Sequence, residues 1–319
     1  MDTKQKNQER IKSSDEFRGF TIFFMIIVNF LAFYEAIPLY LKHAQNIGLT
    51  AADLVAPCFL FIIGLLYKKT YLKRVSLYGR KKTWLHIILR YLMLLAIGVI
   101  GVWTARGKIT GEWGVLQTIG VAGLLTLPFI ELTFWPRIFL SLGLAAGYQI
   151  ILFPAFKYII IHAKHGGPYA AISWSSMLLL ATAAGDLFSP NDTVQSIKKL
   201  LGFATSFLFA GIISLPFVPI SKMQVNFSYV LVTTGISTFA FIAFLIINDK
   251  FNLSLPTFKS LGRNALLIYI VHYVLVRIGH RVIPSNSGLM MIMMGATIIY
   301  LLCYVLAWLL DINKLYLKL

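Results

Sequence analysis

Ser14-Asp15-Glu16-Phe17-Arg18-Gly19 leads directly into the apolar run Phe20–Val28, which is broken by a single amide, Asn29. A short polar loop containing His43 follows, and the chain then enters a second apolar run through Asp53. Amides and carboxylates in lipid-length helices are costly to bury and usually serve a function. The stretch therefore predicts membrane-spanning helices with an imidazole, an amide and a carboxylate clustered around one membrane face.

The composition is that of an integral membrane protein. Apolar residues make up 58% of the 319 residues, and the mean hydropathy is +0.77. A soluble core of this length could not hide so much apolar surface. The formal net charge is +17, but the basic residues lie between apolar runs. We therefore expect contacts with membrane lipids and an anionic substrate on the inner face, and no nucleic-acid partner.

Ten apolar segments approach the ~20 residues that a bilayer core requires. They are Phe17–Ile37, Ala52–Tyr67, Trp84–Trp103, Gly114–Leu132, Pro136–Phe153, Ser173–Phe188, Leu200–Phe217, Ser228–Asn248, Leu261–Ile278 and Gly288–Leu310. Most of the 29 Lys and Arg residues fall in loops on the side of the membrane where the amino terminus lies. This bias predicts that both termini are cytoplasmic. The predicted fold is an all-α polytopic bundle of about ten transmembrane helices, forming a single domain over residues 1–319.

Two features refine this fold prediction. The sixth segment is short and rich in Ser and Ala, and small residues at such spacing favour close packing inside a bundle. The two cysteines, Cys58 and Cys303, lie within apolar segments and indicate packing rather than a disulfide framework. No metal site is expected.

The spacing of the polar residues indicates a passage between helices. Arg18 and Asn29 are eleven residues apart, which places them ~20° apart around a helix and ~16 Å apart along it. Asp53 and Gly64 repeat this spacing on the second helix. His43 precedes Asp53 by ten residues, close enough for its loop to fold back over the helix end. The passage would have a basic inner mouth and an imidazole with a carboxylate at its far side.

An elongated donor with an anionic head and a reactive tail suits such a passage, and coenzyme A has this form. Basic residues at the inner face would hold its phosphates, and the thioester would reach His43. An imidazole with a pKa of about 6.5 serves as a general base or an acyl acceptor. Asp53 would orient the ring, and Asn29 would donate to the thioester oxygen.

Several stretches resemble the heparan-α-glucosaminide N-acetyltransferase family of transmembrane acetyltransferases. Besides the Ser14–Gly19 stretch with Asn29, they are Lys42-His43-Ala44, Gly48–Val55 with Pro57, Phe59–Gly64, Gly114-Val115-Leu116-Gln117, Pro219-Ile220-Ser221-Lys222, Ser228–Leu231 and Gly262-Arg263-Asn264-Ala265-Leu266-Leu267-Ile268-Tyr269. The resemblance implies that acetyl groups pass from cytosolic acetyl-CoA to a glycan amine across the membrane. It also implies that His43 is the active-site histidine, with Asn29 and Asp53 lining the site.

We accordingly predict an acetyl-CoA-dependent N-acetyltransferase acting on an amino sugar or glycan amine. The predicted catalytic residues are His43, Asp53 and Asn29. The predicted donor-binding residues are Arg18, Asp15, Gly64, Gln117, Arg263, Asn264 and His272. The lumenal elements of the animal enzymes are missing from this sequence, so we expect a multi-pass protein of a prokaryotic plasma membrane rather than of a lysosomal-type membrane.

Other interpretations stay open. Asp53 has the spacing of a helix-capping residue, Asn29 and His272 could be packing residues within the bundle, and His162 and His165 read as loop surface. An O-acyltransferase of cell-surface polymers is one alternative function, and a proton-coupled transporter with Asp53 and His43 as a relay is another. The acceptor, the acetyl-histidine or ternary-complex route, and a homodimeric state also remain open.

Overall fold

The computed structural model describes residues 11–106 and 112–317. It contains α1 (Lys12–Leu31), α2 (Val55–Tyr78), α3 (Arg80–Arg106), α4 (Val115–Thr126), α5 (Phe134–Gly147), α6 (Phe153–His162), α7 (Ala171–Leu187), α8 (Thr193–Ser214), α9 (Phe227–Phe244), α10 (Pro256–Arg263), α11 (Ala265–Val282) and α12 (Leu289–Ile312). The basic residues Lys4, Lys6, Arg10, Lys108 and Lys318, which contribute to the predicted charge asymmetry, lie outside the described residues.

The prediction of an all-α polytopic bundle is confirmed. Within the described ranges, seven helical stretches are long and apolar enough to cross a membrane, and two shorter apolar helices, Val115–Phe129 and Ala171–Leu187, accompany them. Each of the ten predicted segments overlaps at least one of the helices, although most of the helices extend beyond the predicted bounds. Almost every residue of α7 is buried. Its short, small-residue sequence is therefore explained by a central position, where other helices rather than lipid surround it.

The first helix differs from its predicted bounds at both ends. It begins at Lys12 and ends at Leu31, whereas the apolar pattern predicted Phe17–Ile37. The charged residues before Phe17 are part of α1 because their carboxylates have partners inside the bundle. Glu16, which is fully buried, accepts hydrogen bonds from the Asn248 side chain and from the Leu255 backbone amide at 3.0 Å.

Glycines allow α1 and α10 to cross with their backbones in contact. A Cβ atom at Gly19 would overlap the Phe258 carbonyl, and one at Gly262 would overlap the Asp15 carbonyl. The glycine that closes the opening charged motif is thus required for this close approach. The crossing brings Arg263, at the end of α10, to the level of Asp15 on α1.

Candidate active site

His43 and Asp53 form a hydrogen-bonded pair at one end of the bundle. His43 Nδ1 lies 2.9 Å from Asp53 Oδ1, and the Asp53 side chain is fully buried. The second carboxylate oxygen accepts from the backbone amides of Ala44 and Thr50, both at 3.1 Å, and from the Thr50 hydroxyl at 2.9 Å. The carboxylate therefore caps the short helical turn that precedes α2 and holds the imidazole as well, so both roles raised by the sequence coexist.

The Asp53 carboxylate, which contacts Nδ1, fixes the tautomer of the His43 ring. An ionised carboxylate only accepts, so the proton of a neutral ring is assigned to Nδ1, which leaves the lone pair of Nε2 open. Burial lowers the pKa of His43, with the Lys222 charge adding to the effect and Asp53 opposing it. A neutral ring with an open Nε2 is the form needed to accept a proton or an acyl group.

Lys222 joins this pair from a loop that is remote in sequence. Its Nζ lies 2.8 Å from His43 Nδ1, 3.3 Å from His43 Nε2 and 3.5 Å from Asp53 Oδ1. Lys222 belongs to one of the family-like stretches, but the sequence pattern did not predict it as a site residue. The spacing gave no indication, because the residue lies 179 positions from His43 and resembles an ordinary loop cation.

A cavity of about 440 Å³, the histidine cavity, opens beside these groups. Its lining includes His43, Lys222, Asn29 and His272. The Asn29 amide nitrogen lies 3.1 Å from His272 Nε2, and His272 Nδ1 lies 3.3 Å from the Ile268 carbonyl. With Nδ1 as the donor to that carbonyl, Nε2 accepts from Asn29, whose second N–H and oxygen remain for a ligand.

His165 also lines the histidine cavity, so the prediction that it is a surface residue was wrong. Its backbone is in the left-handed region, with φ 54°, and the Trp174 indole donates to its carbonyl at 3.1 Å. Burial holds the pKa of His165 well below its ordinary value, and the Lys222 charge acts in the same direction. A non-glycine residue held in this backbone conformation is a frequent feature of functional sites.

A second cavity of about 450 Å³, the basic cavity, lies toward the other end of the same helices. Within the described parts of the chain its charged lining consists of cationic side chains: Arg18, Arg74, Arg90 and Arg263, with His86 beside them. The buried Nε atoms of Arg74 and Arg90 have no hydrogen-bond partner among the described residues. Arginine forks suit phosphate oxygens, so unsatisfied donors here fit a phosphorylated ligand.

Asp15 organises two of these arginines rather than lining the basic cavity itself. One carboxylate oxygen lies 3.5 Å from Arg18 Nη1, and the other lies 3.6 Å from Arg263 Nε. Asp311 contacts Arg263 Nη1 at 2.9 Å from the opposite side. The predicted donor-binding group of Arg18, Asp15 and Arg263 is thus brought together, with Asp15 in a supporting position.

The two cavities meet at two residues. Phe59 on α2 and Tyr269 on α11 line both of them. Along α1, Arg18 lines the basic cavity and Asn29 the histidine cavity, as the eleven-residue spacing predicted. The two cavities are therefore neighbours along α1, and among the described residues two aromatic side chains belong to both linings.

Three predicted donor-binding residues lie away from the linings of both large cavities. Gly64 packs against α7, where a Cβ atom would lie 2.5 Å from Ala181 Cβ. Gln117 caps its own helix, since its Oε1 accepts from the Gly114 amide at 3.0 Å. Asn264 is buried at the junction of α10 and α11, with its amide 3.5 Å from the Ala307 carbonyl. A fourth, His272, lies in the histidine cavity rather than beside the arginines.

Fold and site together define a polytopic helical membrane protein with an imidazole–carboxylate pair and a separate basic cavity. A sequence model described as heparan-alpha-glucosaminide N-acetyltransferase, catalytic, matches residues 10–223. The chain belongs to this family, which confirms the resemblance noted in the sequence.

Two relatives illustrate the extent of the likeness. The heparan-alpha-glucosaminide N-acetyltransferase of Mus musculus is 32% identical over 144 residues, which are 42% of this chain and 21% of the mouse protein. Its namesake in Homo sapiens is 33% identical over 135 residues, 39% of this chain and 19% of the human protein. The matched part spans about a fifth of the length of each relative.

Proposed function

We propose that this protein transfers the acetyl group of cytosolic acetyl-CoA to an amino sugar or glycan amine on the opposite side of the membrane. The observation that carries the proposal is the pair of cavities along α1, α2 and α11, one basic and one containing His43 and Asp53, which share Phe59 and Tyr269. Acetyl-CoA bound through its phosphates at the basic cavity would extend its thioester toward the imidazole. Membership of an N-acetyltransferase family supports the same chemistry.

The basic cavity would bind the phosphates of the donor. Arg18, Arg74, Arg90 and Arg263 line it, and buried N–H donors of Arg74 and Arg90 lack partners among the described residues. Each charge-assisted hydrogen bond to phosphate is worth about 1.5–3 kcal/mol. The apolar lining beyond the arginines, such as Ile62, would accommodate the uncharged arm of the donor.

The histidine cavity would carry out the transfer. His43 Nε2, left open by the Nδ1 contact with Asp53, takes the proton that the acceptor amine loses, or takes the acetyl group itself in a covalent route. Asp53 holds the ring and stabilises it when it is protonated. Asn29, fixed by His272, offers its second N–H to the carbonyl oxygen as negative charge develops there.

An acetyl-transfer assay tests the proposal. Purified protein in detergent would be incubated with radiolabelled acetyl-CoA and a panel of amino sugars, alongside His43→Ala and His162→Ala. His162 is an exposed histidine at the end of α6 and serves as a matched control. We expect acetylated sugar from the parent protein and from His162→Ala, and none above background from His43→Ala.

Other outcomes would favour the alternatives. Acetylation of sugar hydroxyls instead of amines would indicate an O-acyltransferase. Failure of millimolar coenzyme A to raise the melting temperature, together with no transfer to any acceptor, would contradict the proposal and favour a transporter. Incubation with donor alone separates the two routes, because a covalent route leaves acetyl-His43 on the protein.

A further inference from the structure

Lys222 occupies an unusual position across the His43 ring. Its Nζ is within 3.3 Å of both ring nitrogens, at 2.8 Å from Nδ1 and 3.3 Å from Nε2. A donor in line with the Nδ1 lone pair would lie well beyond hydrogen-bond distance of Nε2. The Lys222 ammonium therefore lies over the face of the His43 ring, and Nδ1 remains directed at Asp53. Lys222 is thus next to the nitrogen at which chemistry is expected.

The loop that carries Lys222 is fixed against the loop that carries His43. The Gly48 amide donates to the Ile220 carbonyl at 2.8 Å, and the Gln224 side chain donates to Asn46 at 3.2 Å. Lys222 itself is only 6% exposed. These contacts join two parts of the chain that are remote in sequence, and they hold the ammonium in place before any substrate binds.

A buried lysine needs a compensating charge, and Asp53 provides it at 3.5 Å. Burial lowers the pKa of Lys222 to about 8, although Asp53 opposes the shift. The side chain therefore carries its proton at neutral pH and loses it as the pH rises above about 8. Among the described residues, the titratable or charged groups that line the same cavity are His43, Glu112, Lys164, His165, Tyr269, His272, Tyr273, Arg277 and His280. Asp53 contacts both His43 and Lys222.

We propose that Lys222 is a further catalytic residue, whose ammonium stabilises the negative charge on the carbonyl oxygen when the acetyl group is attacked beside His43 Nε2. The inference rests on the proposed function. Preorganised donors aimed at a developing oxyanion are typically worth 10²–10³ in rate. Lys222 would act as a second donor beside Asn29.

The bonds and charges balance without any further reactant. As the acceptor nitrogen bonds to the acetyl carbon, the carbonyl pair moves onto the oxygen that Lys222 N–H binds. That pair returns as the carbon–sulfur bond breaks, and sulfur leaves with the bonding electrons. The amine proton passes to His43 Nε2 and then to the thiolate. In a covalent route Nε2 bonds to the acetyl carbon first and sulfur leaves with the bonding electrons. The amine then adds to the same carbon, the bond to Nε2 breaks, and the amine proton passes to the freed Nε2 and on to the thiolate. The oxygen develops its charge at the same place in both steps.

The test is a pH profile of kcat between about pH 6 and 10 for the parent protein, Lys222→Arg, Lys222→Met and the exposed control Lys157→Met. We expect the parent rate to fall above about pH 8 as Lys222 loses its proton. Lys222→Met should lose roughly 10²–10³ in kcat at pH 7 with little change in the KM for acetyl-CoA. Lys222→Arg should keep more activity and lose the fall near pH 8, because guanidinium stays charged.

Several results would overturn the inference. It is wrong if folded Lys222→Met matches the parent kcat at pH 7, or if Lys222→Arg keeps the alkaline fall near pH 8. Should Lys222→Met fail to fold, the Lys222→Arg profile alone decides. A parent protein that transfers no acetyl group at any pH would contradict the proposed function, and the role of Lys222 with it. An active parent with unaffected Lys222 variants contradicts only the role of Lys222.

Discussion

At the scale of single residues, the site depends on one carboxylate with two tasks. Asp53 caps the turn before α2 with one oxygen and binds His43 Nδ1 with the other. The Tyr229 hydroxyl donates to the Asp53 backbone carbonyl at 2.8 Å, which fixes the turn to α9. Since the same group positions the loop and the ring, a local capping motif directly determines the geometry of the imidazole.

Removing the charge of Asp53 while keeping its shape separates its capping role from its contact with His43. Asp53→Asn retains a capping oxygen, so we expect the protein to fold, but it loses the negative charge that holds His43 in its working tautomer. We predict a fall in kcat of roughly 10²–10⁴. Asp192 is the matched control, because it caps α8 by accepting from the Gln195 amide at 3.0 Å. Asp192→Asn should keep full activity, and equal losses in both variants would argue against a catalytic role for Asp53.

The acid side of the pH profile reports on His43. The proposed mechanism uses the neutral form of His43, and burial lowers the pKa of His43 below the ordinary value of about 6.5. The rate should therefore hold as the pH falls through 6.5 and decline only at lower pH. Steady-state kcat in buffers from about pH 5 to 7 measures this, and a midpoint above 6.5 would contradict the prediction.

The sequence predicted the part of the site that is local in the chain. His43 and Asp53 are ten residues apart, so loop length and helix spacing sufficed to pair them. Lys222 and His165 were missed as site residues, because only tertiary contacts bring their loops to His43. Gln117 was predicted to bind the donor, but its side-chain oxygen accepts a hydrogen bond from the start of its own helix instead.

At the scale of helices, hydrophobic segments predicted which elements exist better than where they end. α1 extends further into charged sequence than apolarity suggests, because Glu16 finds buried partners on residues more than 200 positions away. The apolar pattern did not predict the eight-residue helix α10 as a separate element. In the structure the non-helical backbone of Asn264 separates it from α11. Long-range pairing of polar groups, which no window of sequence contains, sets these boundaries.

Gly64 illustrates how a predicted ligand residue serves packing. A Cβ atom there would lie 2.5 Å from Ala181 Cβ and 2.9 Å from the Leu178 carbonyl on α7. We predict that Gly64→Ala destabilises the fold by about 1–3 kcal/mol, as overpacked cores do. The control is Gly143→Ala on α5, where a Cβ atom would meet no described residue within 4 Å. Thermal unfolding without ligand measures both, and a Gly64→Ala variant as stable as the parent would contradict the packing role.

At the scale of the whole molecule, opposite ends of the bundle carry different chemistry. One end carries arginines, the other carries an imidazole, a carboxylate and an ammonium, and Phe59 and Tyr269 line the cavities at both ends. The charge bias of the loops predicted that the Arg18 end faces the cytoplasm. This arrangement would let a donor and an acceptor that never share a compartment react within one protein.

Arg90 provides the test of donor binding at this scale. It lines the basic cavity, and its buried Nε has no hydrogen-bond partner in the described part of the chain. Arg80 on the same helix pairs with Glu131 at 2.7 Å and lies outside that lining. Arg90→Met should weaken coenzyme A binding by roughly tenfold or more, through the loss of a charge-assisted hydrogen bond. Arg80→Met should bind as the parent does. Ligand-induced shifts in melting temperature give both affinities, and equal shifts in the two variants would exclude Arg90 as a phosphate ligand.

The central claim is that the acetyl group crosses the membrane through this bundle. The most direct measurement uses sealed proteoliposomes with radiolabelled acetyl-CoA on one side and the amino-sugar acceptor enclosed on the other. Labelled sugar should accumulate in the acceptor compartment with the parent protein and with His162→Ala, and should be absent with His43→Ala. Labelling that requires both reactants on the same side would contradict transmembrane transfer.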